Sequence, residues 1–368
     1  MFDAVDDRFM GLALSLGRRG QGRCWPNPAV GCVIVNDGRI VGRGWTRPGG
    51  RPHAETVALA QAGAAAQGAV AYVSLEPCSH TGKTPPCSDA LINAGIARVV
   101  AAVEDSDPRV SGRGFARLRA AGLQVDTGLR AREAERDLAG FFLNREQGRP
   151  LVTLKLAGSF DGRIATATGE SQWITGGVAR REVHAMRARH DAVMVGAGTA
   201  RIDDPSLTVR GLGDMQQPVR VVVSRRIDLP LLGQLARTAR DVPVWICHGP
   251  DADRSLRAAW QGLGAVLVPC GLAGRQLDMR SVLAELGKRG LTSVFCEGGA
   301  ALAAGLLAGD HVDRLIGFSA GLALGAEGLP AVGAMGLGRL GDAPRFALNS
   351  VRPVGGDILH IWDRVQAG

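Results

Sequence analysis

At 368 residues the chain exceeds the usual length of one domain, so two domains are expected. Hydrophobic residues make up 46% and charged residues 21%, the balance of a globular protein, and no apolar run reaches the ~18 residues that suggest a membrane span. The net charge of +8 is dispersed, with 19 Lys+Arg against 15 Asp+Glu in residues 1–150 and 24 against 20 in the remainder.

Neither part carries a basic arm. Aromatic residues are 4% and Tyr72 is the sole tyrosine, which leaves few surfaces for stacking single-stranded bases. Nucleic acid is therefore disfavoured, and a small anionic substrate suits the surplus charge at least as well. The start, "MFDAVDDRFM", is acidic and lacks the basic n-region of a secretory leader. Seven scattered cysteines, an odd number, fit a reduced cytoplasmic setting better than a disulfide framework.

In chain order, "VGCVIVNDGRIVGRG" alternates about Asn36-Asp37-Gly38 and predicts a hairpin. A helix from His53 to about Ala66 follows, then a strand in "AVAYVSLEP", a helix from about Ser88 and a strand in "ARVVAAVED". "GFARLRAAGLQVDTG" predicts a further helix–strand pair, and "REAERDLAGFFLN" a charged helix. Alternating strands and helices imply an α/β layer with a largely parallel sheet portion. The polar "REQGRP" ends in Pro150 and marks the boundary, giving domains over 1–147 and 148–368. The second part restarts at "LVTLKLAGS" and alternates again through "DAVMVGAG", "VRVVVS", "VPVWICHG", "AVLVPC" and "TSVFCEGG", closing on "ILHIWD".

The chemistry concentrates at two junctions. "PHAE" sets His53 and Glu55 at a helix start, and "EPCSHTGKTPPC" brings Cys78 and Cys87 into a loop before another helix. This is the His-x-Glu with Pro-Cys…Cys order of the zinc deaminases, with eight residues between the cysteines where the common signature has two. Three protein ligands, His53, Cys78 and Cys87, leave the fourth zinc position open, as catalytic sites require. Glu55, beside a ligand but not itself one, is placed to shuttle the proton of the attacking water. A structural zinc site is the competing reading, and His80 is the residue that could close it as a fourth ligand.

"NPAVGCVIV", "PHAE" and "LEPCSHTGKTPPC" resemble the deaminase half of the bifunctional riboflavin-biosynthesis deaminase–reductases. "KLAGSFDGRIATATGESQWITG", "GAGTARIDDPSLTVR" and "EGGAALAAGLL" resemble the reductase half. The resemblance spans nearly the whole chain. It implies a cytidine-deaminase-like zinc domain followed by a dihydrofolate-reductase-like α/β domain. The implied reactions are hydrolytic deamination of 2,5-diamino-6-ribosylamino-4(3H)-pyrimidinone 5′-phosphate and NADPH-dependent reduction of its ribosyl chain to ribityl. Asn27, His80, Lys83 and Thr84 would contact the first substrate. Thr46 stands where the family often has a histidine.

In the reductase half the resemblance assigns the NADPH site to Ala157, Trp173, Thr199, Asp203 and Ser224. It adds the turn Gly299, Ala300, Ala301, Leu302, Ala303, Ala304 and Gly305, which reads as strand, Gly-Gly turn and helix and offers free N–H groups to phosphate. Ser171, Arg187, Leu207, Arg210 and Glu297 map to the phosphorylated substrate, and arginines are natural partners for a ribose phosphate. No G-x-G-x-x-G is present, in line with a fold other than the dinucleotide-binding Rossmann domain. The expected partners are small phosphorylated pyrimidines, with no nucleic acid, no membrane and a homo-oligomeric assembly. A zinc-dependent nucleic-acid base deaminase with an accessory domain stands as the alternative.

Overall fold

The computed structural model describes residues 2–81, 85–107 and 110–365, and the chain divides into two compact units, Met1–Gly148 and Arg149–Gly368. The first unit runs α1 (Ala4–Gly17), β1 (Gly31–Asn36), β2 (Arg39–Trp45), α2 (Ala54–Ala62), β3 (Val70–Val73), α3 (Cys87–Asn93), β4 (Arg98–Ala101), α4 (Arg113–Ala120), β5 (Gln124–Thr127) and α5 (Ala131–Gln147). Its sheet has the order β2-β1-β3-β4-β5. β1 is antiparallel to both β2 and β3, while β3, β4 and β5 run parallel.

The predicted hairpin forms at Asp37 (φ 48°) and Gly38 (φ 70°), two successive positive-φ residues whose turn matches the twist of the flanking strands. β1 feeds two cores by simple alternation. Cys32 and Ile34 pack with Ala54, Ala58 and Leu91 on one face, and Val33 and Val35 with Met10 and Leu14 on the other. The helix supplying Met10 and Leu14, α1, is missing from the sequence reading. Asp3 caps it, accepting from Asp6 N at 2.7 Å, and Asp6 and Asp7 lie in its first turn, where the helix dipole favours acids. Tyr72 is buried and donates its hydroxyl to Asp6 at 2.8 Å, so the only tyrosine is no stacking platform.

The predicted helix from His53 is α2 plus a 3-10 turn over Gly63–Ala66. It lies directly on β2: a Cβ at Gly44 would fall 2.1 Å from Ala54 O. Only a glycine strand allows that approach, and it fixes the start of α2, where His53 stands.

The second unit contains β6 (Leu151–Ser159), β7 (Arg163–Ala165), α6 (Gly177–Arg187), β8 (Ala192–Gly196), α7 (Ala197–Ile202), β9 (Val219–Val223), α8 (Gln234–Arg237), β10 (Val244–His248), α9 (Arg254–Gly262), β11 (Val266–Pro269), β12 (Leu272–Ala273), β13 (Gln276–Leu277), α10 (Met279–Lys288), β14 (Ser293–Cys296), α11 (Ala300–Ala308), β15 (Arg314–Ala320), β16 (Leu329–Pro330), β17 (Phe346–Val354) and β18 (Asp357–Arg364). Nine strands form one sheet in the order β11-β10-β9-β8-β14-β6-β15-β18-β17. Its seven strands from β11 to β15 are parallel, β18 adds antiparallel to β15, and β17 adds antiparallel to β18. This is the dihydrofolate-reductase-like α/β arrangement.

Val193, Val222, Ile246 and Trp260 build one of its cores, and Val183, Phe295, Ile316 and Phe318 another. Two aspartates staple strand starts: Asp191 accepts from Thr292 N and Ser293 N, and Asp313 accepts from Val152 N while pairing with Arg149. Both the β15 and β17 strands are absent from the sequence reading. Among the described residues no helix is long and apolar enough to cross a membrane.

Candidate active sites

In the first unit three elements deliver one cluster. His53 is the N-cap of α2, Cys78 lies in the loop after β3, and Cys87 is the first residue of α3. Their ligand atoms all lie within 4.8 Å of one another. His53 Nδ1 is 3.3 Å from Cys87 Sγ and 3.7 Å from Cys78 Sγ. Tetrahedral zinc, with Zn–S ~2.3 Å and Zn–N ~2.0–2.1 Å, sets such N···S pairs about 3.6 Å apart. The donor set and its spacing fit zinc. His80, the possible fourth ligand, does not join the cluster, which leaves the three-ligand arrangement of an open site.

The electrostatics favour metal loading. The Cys78 thiol is held down to about 4 by hydrogen bonding from Cys87, against the cost of burial and with help from His53. Cys87 N also donates to Cys78 Sγ at 3.3 Å. Cys87 moves the other way, raised by its contact with Cys78 and by burial, so the two sulfurs compete for one proton. Glu55 is 4% exposed. Burial pushes its carboxyl up to about 7, with the Cys78 charge adding and His53 opposing.

Behind the ligands, Glu76 shapes the Cys78 loop. Its buried carboxylate accepts from Asp105 N, Gly112 N, Gly114 N and Phe115 N at 2.8–3.2 Å. Burial raises its pKa and those four amides oppose the rise.

Of the expected substrate contacts, Asn27 is half-buried against Gly50. That glycine has φ 82°, and a Cβ there would fall 1.9 Å from Asn27 Nδ2, so only glycine admits the amide. His80 is partly buried and its Nδ1 has no hydrogen-bond partner among the described residues. Lys83 and Thr84 lie outside the described residues. Thr46, in place of the family histidine, is 2% exposed and its hydroxyl accepts from Val30 N at 3.0 Å. It braces the backbone before β1.

The second unit holds a cleft of about 1010 Å³, at the top of the usual ~300–1,000 Å³ range for ligand pockets. Ala157, Ser171, Thr199, Asp203, Glu297, Gly299, Ala300, Ala301, Leu302 and Gly305 line it. Ala303 and Ala304 face the protein interior, and Ser224 is buried with its hydroxyl donating to Asp228 at 3.1 Å. Trp173, Arg187, Leu207 and Arg210 are not on its wall. Arg187 reaches the cleft through a neighbour: its guanidinium donates twice to Glu297 (2.5 and 3.1 Å) and once to Thr208 O (2.8 Å). Leu207, in the same loop, is buried with φ 53°, an uncommon backbone for a bulky side chain. Arg210 is exposed, and its amide donates to His184 Nδ1 at 3.2 Å.

The sequence reading passes over Lys155, which lines the cleft with Nζ 3.9 Å from Glu297 Oε2. Burial lowers its pKa, with Glu297 opposing. Its signal is a lysine, one of three in the chain, set between Leu154 and Leu156 inside a strand.

Residues 150–360 match the RibD C-terminal domain family, and residues 3–103 match the cytidine and deoxycytidylate deaminase zinc-binding region. The chain belongs to the RibD family. It is 42% identical to the riboflavin biosynthesis protein RibD of Escherichia coli K12, covering 97% of this chain and 99% of that one. The Aquifex aeolicus protein of the same name is 36% identical, with 99% and 100% covered. Among solved structures, Acinetobacter baumannii RibD superposes with a TM-score of 0.88 at 36% identity over 98% of this chain and 99% of that one. The deaminase/reductase of Thermotoga maritima gives 0.86 at 34% over the same shares.

Proposed function

We infer that the chain is a bifunctional riboflavin-biosynthesis enzyme. It deaminates 2,5-diamino-6-ribosylamino-4(3H)-pyrimidinone 5′-phosphate and then reduces the ribosyl chain with NADPH to give 5-amino-6-ribitylaminouracil 5′-phosphate. The observation that carries the reading is the convergence of His53, Cys78 and Cys87 beside a buried carboxylate, in a chain whose other unit holds a large cleft of reductase type.

In the first unit His53, Cys78 and Cys87 would hold zinc, which supplies Lewis acidity toward water at neutral pH. Glu55 takes a proton from the attacking water and returns it to the departing 2-amino group, the work of one buried carboxylate cycling between two states. Asn27, His80, Lys83 and Thr84 orient the pyrimidine and its ribose phosphate. The buried Nδ1 of His80, without a hydrogen-bond partner among the described residues, supports that role.

In the second unit NADPH supplies the hydride. Glu297, clamped by Arg187, holds Lys155 toward the cleft. Lys155 gives a proton to the sugar oxygen released as the anomeric carbon is reduced, and its depressed pKa suits a donor. Arg210, exposed at the end of the Leu207 loop, meets the substrate phosphate, and Ser171, on the cleft wall, contacts the same substrate. Lys155→Met should leave NADPH affinity within about twofold while reduction falls by ~10²-fold or more. Single-turnover oxidation of bound NADPH reads this, and a variant with normal turnover removes Lys155 from the chemistry.

We place the first activity in Met1–Gly148 and the second in Arg149–Gly368. Ammonia release from the diaminopyrimidine phosphate, with no deamination of single-stranded oligonucleotide, tests the function against the nucleic-acid alternative. Residues 1–148 expressed alone should fold, bind zinc and release ammonia, and residues 149–368 alone should reduce the aminouracil with NADPH. A soluble, zinc-loaded first unit that deaminates only when the second is added would show that the two activities share a site. A reduced cytoplasmic setting suits the thiolate ligands. A homo-oligomer is supported by β17, an edge strand with Leu348 and Val351 exposed.

A further inference from the structure

The cleft of the second unit follows the carboxyl ends of four neighbouring parallel strands, in the spatial order β6, β14, β8, β9. Lys155 to Ala157 mark its β6 end, Glu297 to Gly299 follow β14, Gly196 to Thr199 follow β8, and Val223, Arg225 and Arg226 mark its β9 end. Arg275 to Leu277, around β13, line the cleft as well. With strands ~4.8 Å apart, the wall from β6 to β9 is about 14 Å long, the scale of an extended dinucleotide.

Charge is unevenly used along this wall. Arg201 donates to Asp228 at 2.7 Å. Arg225 is bidentate on Asp251, with Nη2 2.6 Å from Oδ2, and its Nη1 donates to Arg275 O at 2.6 Å. Those two arginines are neutralised, and Arg225 also fixes the backbone of Arg275. Arg226 and Arg275 are exposed on the wall and form no ion pair within 4 Å among the described residues, although the charge of Arg226 also acts on Asp251, the partner of Arg225. The carboxylate on this wall without an arginine partner, Asp203, caps α7 beyond β8.

The proposed reduction puts the nicotinamide beside Lys155 and Glu297, so the adenosine end of the cofactor lies at β9. NADPH differs from NADH by one phosphate on that adenosine ribose, and a guanidinium fork recognises phosphate with paired hydrogen bonds. We propose that Arg226 and Arg275 form the subsite for the 2′-phosphate of the dinucleotide and set its preference for NADPH over NADH. The inference rests on the reductase reading of this cleft. It names the residues that recognise the cofactor's distinguishing group.

The test is binding by calorimetry to the full chain, using adenosine 2′,5′-bisphosphate, adenosine 5′-monophosphate, NADPH and NADH. Wild type should bind the bisphosphate at least tenfold more tightly than the monophosphate. Arg226→Ala and Arg275→Ala should each cost about tenfold on the bisphosphate and on NADPH, with the monophosphate and NADH unchanged. The double variant should bind NADPH and NADH with nearly equal affinity. Both side chains are exposed, and an unchanged melting temperature checks the fold. Unchanged preference in the double variant overturns the subsite. Equal losses on both adenosine probes overturn it too, since they place the arginines on the 5′-phosphate. Wild type that binds neither NADPH nor the bisphosphate removes the reductase reading itself, a result distinct from either.

Discussion

Glu55→Gln is expected to retain about one zinc per chain while deamination falls by at least ~10²–10⁴-fold, the usual contribution of one general base. Glutamine keeps the size and hydrogen-bonding shape of the side chain but cannot carry a proton. Because Glu55 is buried and is not one of the three clustered donors His53, Cys78 and Cys87, the exchange leaves the donor set intact. NADPH-dependent reduction of supplied aminouracil should continue at the wild-type rate. Metal analysis with an ammonia assay checks both halves of the expectation. Wild-type ammonia release from the variant would take Glu55 out of the mechanism and restore the structural-zinc reading.

Cys78→Ser is expected to abolish both zinc and deamination. An alcohol does not ionise near neutral pH, so the site loses a sulfur whose surroundings lower its pKa and favour the thiolate that zinc binds. Only His53 and Cys87 remain, and two ligands do not retain zinc against dialysis. Reduction should again persist, which separates loss of the metal from loss of the fold. Treating the wild type with a chelator is the companion measurement. Deamination that survives complete removal of metal would sink the zinc mechanism, whatever the variant does.

The convergence of His53, Cys78 and Cys87 was legible because their spacing is local. His53, Cys78 and Cys87 each stand at a strand-to-helix junction, where short spacing in the chain becomes convergence in space. The hairpin was legible for a similar reason, since Asp37-Gly38 must take positive φ. The α1 helix was not, although Phe9, Met10, Ala13 and Leu14 carry a helical apolar period and Asp3 caps it; the acidic residues before that period serve both as cap and as first turn, so no polar break marks where the helix begins. β17 escaped because it is an edge strand with exposed residues and Pro353 near its end. Lys155, Arg226 and Arg275 escaped for a deeper reason. Lys155 and Arg226 share one cleft because the sheet orders its strands β6, β14, β8, β9, and Arg275 joins them from the separate β12–β13 hairpin, whose backbone Arg225 holds; nothing in the linear sequence announces that neighbourhood.

The Glu76 clamp has a consequence for how the protein handles its metal. Four amides spread over residues 105–115 converge on one carboxylate, so the loop bearing Cys78 is braced by contacts that involve no ligand atom. A small zinc module collapses when the ion leaves, since binding energy there is folding energy. A brace independent of the ligands is expected to uncouple the two, so that the cup persists through stripping and refilling and the ion exchanges without refolding. The amide hydrogens of Gly114 and Phe115 then stay as slow to exchange in the stripped protein as in the loaded one.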